Sequence, residues 1–254
     1  MNTKSLSGIG FLLLLAIVAA LLELNSEQGI PGNDQVAEDY ILAVNWQPAF
    51  CESRPNKPEC RSQRAGRFDT AHFSLHGLWP QPRDNTYCGV DNDIIDIDTS
   101  GRWHRLPDLQ LSDRVRDELA EKMPGYRSHL HRHEWIKHGT CMQQATAEQY
   151  YEVSLSLLDQ LNASAVSGLF AGSIGKRLDE REIEQAFQRA FGKAAPSRVV
   201  LDCYRDDGRR LFVEIKLSLS GNLLLESDLK TLINAGKKLG RSCPSGLVDA
   251  VGLQ

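Results

Sequence analysis

AHFSLHGLWP, residues 71–80, decides how this chain is read. Ala71, Phe73 and Leu75 fall on one side of an extended segment, and His72, Ser74 and His76 on the other, the two-residue period of a strand with one face on a core. The alternation predicts a strand over 71–76 that delivers His76 to its open end, just before Gly77. The same period appears upstream in Tyr40, Leu42, Val44 and Trp46, and downstream in Leu211, Val213, Ile215, Leu217 and Leu219, with a further strand expected over 198–203. Helical patterns lie between them. Ser112 is placed to cap a helix that carries Val115, Leu119 and Met123 and stops at Pro124. Amphipathic helices fit 147–161 and 179–191, the second with Ile183, Ala186, Phe187, Ala190 and Phe191 on one stripe and Gly192 as its stop. Strands on both sides of a helical middle predict an α+β domain. Residues 87–107, rich in Asp, Asn and Gly without a sustained period, read as a long loop of the kind that borders a binding site.

The 254 residues show no internal repeat and no mid-chain linker, so a single domain over 36–254 is expected after a polar lead-in at 25–35. A net charge of -4 excludes a protein that holds nucleic acid through a broad basic surface, because such binding needs many cations on phosphates. Any nucleic-acid contact must be local. Residues 1–24 carry Lys4 and then an apolar run from Ile9 to Leu22, the length of a signal-peptide core and short of the roughly 20 residues that span a bilayer. Export to the periplasm or the medium is the favoured reading, and an uncleaved membrane anchor is the alternative, since Glu23, Leu24 and Asn25 offer no small-residue cleavage site. The six cysteines, Cys51, Cys60, Cys88, Cys141, Cys203 and Cys243, are an even number in such a chain and predict three disulfides, for which sequence allows 15 connectivities. No paired CxxC spacing suggests a thiolate zinc site.

All seven histidines lie between His72 and His138. HEWIKHGTC, residues 133–141, holds two of them, and a helix over 132–140 would project Glu134, Lys137 and His138 from one face. His133 would stand about 140° round the axis, at the border of that face. The segment resembles the zinc-protease signature HExxH, but its spacing is one residue too long and Lys137 would put a cation among the ligands. No catalytic metal and no cofactor are expected. Ser74 has no Gly-x-Ser-x-Gly elbow around it, and no free cysteine is expected, so a protein nucleophile is not indicated either. Histidines with a lysine and a carboxylate suit a reaction whose attacking group belongs to the substrate. Cleavage of RNA is one: the ribose 2′-hydroxyl attacks phosphorus, the 5′-oxygen leaves, one imidazole removes a proton and another supplies one. A lysine beside the phosphorus would offset the charge of the pentacoordinate state.

FSLHGLWP (73–80) and HEWIKHGTC (133–141) resemble, in type and order, the two active-site segments of the ribonuclease T2 family, and YILAVNWQPAFC (40–51) with Cys203 and Cys243 extends the likeness over most of the chain. The resemblance implies a central, mainly antiparallel sheet flanked by several helices, and an endoribonuclease of low base specificity acting on single-stranded RNA as a monomer, with membrane contact only through an uncleaved leader. It assigns His138 as general base, His76 as general acid, His133 as a phosphate contact, and Glu134 with Lys137 as stabilisers of the transition state. Trp79 would stack on a base, with Tyr87 on the other side of that pocket. The implied disulfides are Cys51–Cys60, Cys88–Cys141 and Cys203–Cys243. Gln81 stands where an acidic residue can occur in relatives, which leaves purine preference open, and many relatives have more cysteines.

The remaining residues with chemistry read as structural. His72 shares the His76 face without a motif behind it; His129 and His131 read as solvated or loop residues, with phosphate contact as the lesser alternative; and His104 with Trp103 reads as surface packing in the loop, with stacking on a second base as the lesser alternative. Trp46 and Trp135 are expected in the core, and Asn162, in an Asn-Ala-Ser sequon, as an ordinary polar turn.

Overall fold

The computed structural model describes residues 38–253, so the leader and lead-in expected over 1–35 lie outside the described residues. Among these residues no helix is long and apolar enough to cross a membrane.

A six-stranded sheet organises the described residues. Strands β1 (Glu38–Asn45), β2 (Ser74–Pro80) and β5 (Arg209–Gly221) form one side of it, with β1 antiparallel to both neighbours. β4 (Val199–Asp206) pairs antiparallel with β5, β3 (Arg177–Asp179) pairs antiparallel with β6 (Ser245–Leu247), and β6 meets β5 in parallel. The expected mixed α+β architecture with a mainly antiparallel sheet is what the chain forms.

Three rows of cross-strand partners, Tyr40–Pro80–Leu219, Leu42–Leu78–Leu217 and Val44–Leu75–Ile215, put one face of this sheet into the core. Helices cover that face. Among them α4 (Asp113–Lys122) is capped by Ser112 as the sequence predicts, and α6 (Ala147–Asn162) starts with a capping box at Thr146 and Gln149. Tyr150 of α6 lies against β2, its hydroxyl donating to the Leu78 carbonyl at 2.8 Å and accepting from the Leu78 N–H at 3.1 Å, which satisfies backbone groups of a strand that has only one neighbour. Asn162, read from sequence as a plain turn residue, ties the end of α6 to the start of β2 through both backbone groups of Phe73.

The strand expected over 71–76 instead begins at Ser74 and runs to Pro80. Its pairing with β1 shifts between Ala43, opposite Gly77, and Val44, opposite Leu75, so His76 is an extra residue in the ladder. Without this bulge, strict alternation would carry Leu78 out of the core; with it, Leu75 and Leu78 both point inward and His76 is re-aimed to the other face. Ser74, expected beside His76 on an open face, is fully buried. His72 lies before the strand and stacks on Phe68 at 4.6 Å.

Two further expectations are corrected. The segment 87–107 is not a structureless loop but contains α3 (Asn92–Thr99), whose only buried residue is Asp98. An apolar stripe is what the periodicity test detects, and α3 is held by a buried carboxylate instead. The helix of the 133–141 segment is α5 (Leu130–Lys137), shorter at its end and earlier in its start than 132–140, followed by a 3-10 turn at Gly139–Cys141. His129 opens it in a left-handed conformation (φ 62°), and the earlier start puts His131 on the inward face with Glu134. His131, expected to be solvated, is therefore buried, stacked on Tyr126 at 4.0 Å, and burial beside Arg132 pushes its pKa down to about 3. Trp46 is in the core, and Trp135 packs at its edge. All three disulfides, Cys51–Cys60, Cys88–Cys141 and Cys203–Cys243, are present with the expected pairing.

Candidate active site

The sheet face away from the core carries Glu214 and Lys216 on β5, with Ala43 of β1 between Lys216 and Gly77 of β2. The small Ala43 leaves room for the bulged His76 to reach across its own neighbour strand. His76 Nδ1 meets Glu214 Oε1 at 2.5 Å, and Glu214 Oε2 in turn holds Lys216 Nζ at 2.9 Å. From the other side α5 brings Glu134, 1% exposed, whose Oε1 lies 3.6 Å from His76 Nε2 and 4.0 Å from His133 Nε2. Its Oε2 accepts the Trp79 indole N–H at 2.8 Å. A Cβ on Gly77 would sit 2.0 Å from that carboxylate, so only glycine lets helix and strand approach this closely.

Trp79 lies between two imidazoles, its ring centroid 5.3 Å from that of His76 and 5.6 Å from that of His138. His138 is the residue that ends α5, and the turn after it needs Gly139, whose Cβ would strike the Trp135 ring. The His133 ring stands edge-on to His138 at 6.4 Å. His76, His133, Glu134, His138 and Trp79 are thus gathered around one point. Lys137 joins them through its charge, which acts on His138, and through its carbonyl, which accepts the Tyr87 N–H at 2.8 Å.

The two central imidazoles are driven in opposite directions. Burial pulls His76 down, but the hydrogen bond to Glu214 and the charges of Glu134 and Glu214 outweigh it and raise its pKa above the usual histidine value. For His138, burial and then the charges of Lys137, His133 and His76 act together and push the pKa down to about 3. Near neutrality His138 is therefore a free base and His76 favours its proton.

Tyr87, expected across a base pocket from Trp79, has its hydroxyl on Asp98 Oδ2 at 2.8 Å and its backbone in a left-handed conformation (φ 58°). The Asp98 carboxylate also takes His133 Nδ1 at 2.8 and 2.9 Å, which leaves Nε2 as the nitrogen facing Glu134. Trp103 stacks on the His133 ring at 4.5 Å and donates its indole N–H to the Asp98 carbonyl at 3.2 Å. The Cys88–Cys141 disulfide joins the Tyr87 segment to the turn that follows His138.

Asp98 and Glu214 were not among the residues singled out from sequence. Glu214 had a faint signal, since Glu214 and Lys216 put two charges on the outer face of an otherwise apolar strand. Asp98 had none, sitting among several Asp residues in a segment read as loop. Among the described residues no group of three or more His, Cys, Asp or Glu side chains is placed to hold a metal ion.

A family model described as "Ribonuclease T2 family" matches residues 38–234. Ribonuclease I of Escherichia coli (strain K12) is 28% identical over 214 residues, covering 73% of this chain and 76% of that protein. Extracellular ribonuclease LE of Solanum lycopersicum is 28% identical over 185 residues, covering 72% and 74%. Among solved structures, the self-incompatibility-associated SF11-RNase of Nicotiana alata superposes with a TM-score of 0.55 at 16% identity, over 84% of this chain and 98% of that one, which is a likeness of fold.

Proposed function

This chain belongs to the ribonuclease T2 family, and from that membership we propose that it is an exported endoribonuclease that cleaves single-stranded RNA through the ribose 2′-hydroxyl, without a metal, leaving 2′,3′-cyclic phosphate ends that it hydrolyses slowly to 3′-phosphates. The observation that carries the reading is that the His76 and His138 rings both neighbour the Trp79 ring, at 5.3 and 5.6 Å, while the Trp79 indole N–H is held by Glu134.

In this mechanism neutral His138 takes the 2′ proton as the oxygen attacks phosphorus. Protonated His76 delivers a proton to the departing 5′-oxygen, and the two exchange roles when water opens the cyclic ester. Each positioned proton transfer contributes on the order of 10²- to 10⁴-fold. Lys137 and His133 offset the charge that builds on the phosphoryl oxygens, and Glu134 holds His76, His133 and Trp79 in register. Stacking of a base on Trp79 tolerates any base, which gives low sequence specificity. Tyr87 acts less as a second stacking wall than as the hydroxyl that fixes Asp98. The three disulfides and the apolar run from Ile9 to Leu22 support export to an oxidising compartment, where the enzyme would act as a monomer.

End-group analysis tests the reading. Mature protein in the presence of a chelator should convert RNA first to 2′,3′-cyclic phosphate ends and later to 3′-phosphates. Products with 5′-phosphates, or activity abolished by the chelator, would reject it.

A further inference from the structure

A cavity of about 410 Å³ lies outside the chemistry described above, lined by Asp108, Arg116, Tyr126, His129, His131 and Arg132 among others. Its volume is within the range of small-molecule sites, roughly 300–1,000 Å³. It adjoins the active site through the backbone at 103–106. Arg132 donates to the carbonyls of His104 and Leu106, while Trp103, at the head of the same turn, stacks on His133. Rings continue from there. His104 is 6.5 Å from His129, His129 is 6.3 Å from His131, and His131 lies flat on Tyr126.

Two guanidinium groups are fixed at this cavity by backbone carbonyls, Arg116 by Leu111 and Arg132 by Leu106. Their ionic partners are Asp113 and Asp108, side chains 92% and 82% exposed, and pairs that open to solvent hold weakly. A phosphate oxygen competes well for such preset forks, because an Arg–phosphate pair is charge-assisted and bidentate. Burial and then the Arg132 charge disfavour the protonated form of both His129 and His131. These two side chains offer flat rings instead. Nδ1 of His131 and Nε of Arg132 are buried behind this wall without a hydrogen-bond partner. In a chain of net charge -4, a pair of positioned arginines next to the catalytic helix is the kind of local contact that RNA binding requires.

We infer that this cavity is a second nucleotide subsite, which takes a phosphate and its base from the RNA strand beyond the residues flanking the cut, with Arg116 and Arg132 on the phosphate and the His129 and His131 rings beside the base. The inference rests on the ribonuclease reading and adds a dependence on substrate length.

The test compares kcat/KM for a dinucleoside monophosphate with that for oligoribonucleotides extended by four residues on the 5′ side or on the 3′ side. Wild type should prefer one of the extended substrates. Arg116→Gln and His129→Asn, the latter chosen because Asn tolerates a left-handed backbone, should each lower kcat/KM on that substrate about tenfold and leave the dinucleotide rate unchanged, and Arg116→Gln should reduce the salt slope for a non-cleavable 2′-O-methyl strand by about 0.7. An equal loss on short and long substrates, or no loss on either, overturns the subsite. If wild type cleaves none of the substrates, it is the ribonuclease reading that fails. The unchanged dinucleotide rate also reports that both variants are folded.

Discussion

Glu214 follows His76 by 138 residues, yet its Oε1 lies 2.5 Å from His76 Nδ1, across β1, which lies between their two strands. This contact sets both the orientation of the imidazole and its affinity for a proton. The charged pair Glu214–Lys216 sits on the same strand face, so the carboxylate is itself held in place.

Removing the Glu214 charge while keeping an acceptor, as in Glu214→Gln, should therefore lower the pKa of His76. A general acid is lost as pH rises through its pKa, so the alkaline limb of kcat/KM, which in wild type falls above the ordinary histidine value of about 6.5, should move to lower pH. A pH–rate profile of the variant checks this. An unmoved alkaline limb would mean that Glu214 does not govern His76.

His138 makes the opposite prediction for stability. Its pKa is pushed down to about 3 by burial first and then by Lys137, His133 and His76, whereas in the unfolded chain it takes a proton near 6.5. Its contribution is therefore fully present above about pH 6.5 and is lost as pH falls toward 3, at about 1.4 kcal/mol per unit. In urea titrations at pH 7 and pH 4, His138→Gln should lose less stability on acidification than wild type does.

Asp98→Ala would leave the Tyr87 hydroxyl and His133 Nδ1 without their shared acceptor. Each unsatisfied buried group costs about 1–3 kcal/mol, and in a domain of this size each kcal/mol lowers Tm by about 2–4 °C. Tyr87→Phe removes a single donor and should cost less. If His133 depends on Asp98 for its tautomer, Asp98→Ala will also lower kcat at temperatures where it is fully folded, and Tyr87→Phe will not.

Gly77→Ala would set a methyl carbon 2.0 Å from Glu134 Oε2 and 2.7 Å from Trp79 Nε1. Overpacking of this kind costs about 1–3 kcal/mol. Because the displaced groups are the carboxylate and indole at the centre of the site, activity should fall further than stability does. The comparison of residual activity with urea midpoint makes the distinction.

The alternation in 40–46 and 211–219, the cap at Ser112 and the stripe on α8 (Glu180–Phe191) are local signals, and each gave an element close to the one observed. Around the site the signals that mattered were not local. The bulge at His76 is a property of pairing with β1, and a single strand read alone cannot reveal an extra residue in a ladder. Asp98 stabilises His133 from 35 positions away, and Glu214 meets His76 only because β1 lies between their strands. His131 was misread because a left-handed residue at His129 moved the helix start by two positions. The motif residues themselves were legible because the proposed chemistry calls for those side-chain types, whereas their supporting carboxylates can come from anywhere in the fold.

The most direct test of the central claim uses an RNA strand methylated at every 2′-oxygen except one, compared with a fully methylated strand, for wild type, His76→Ala and His138→Ala. The account predicts a single cut by wild type, 3′ to the free hydroxyl, no cut in the fully methylated strand, and losses of about 10²- to 10⁴-fold for each histidine variant with the fold intact. Cleavage of the fully methylated strand at a comparable rate would contradict it, because the attacking oxygen would then not belong to the sugar.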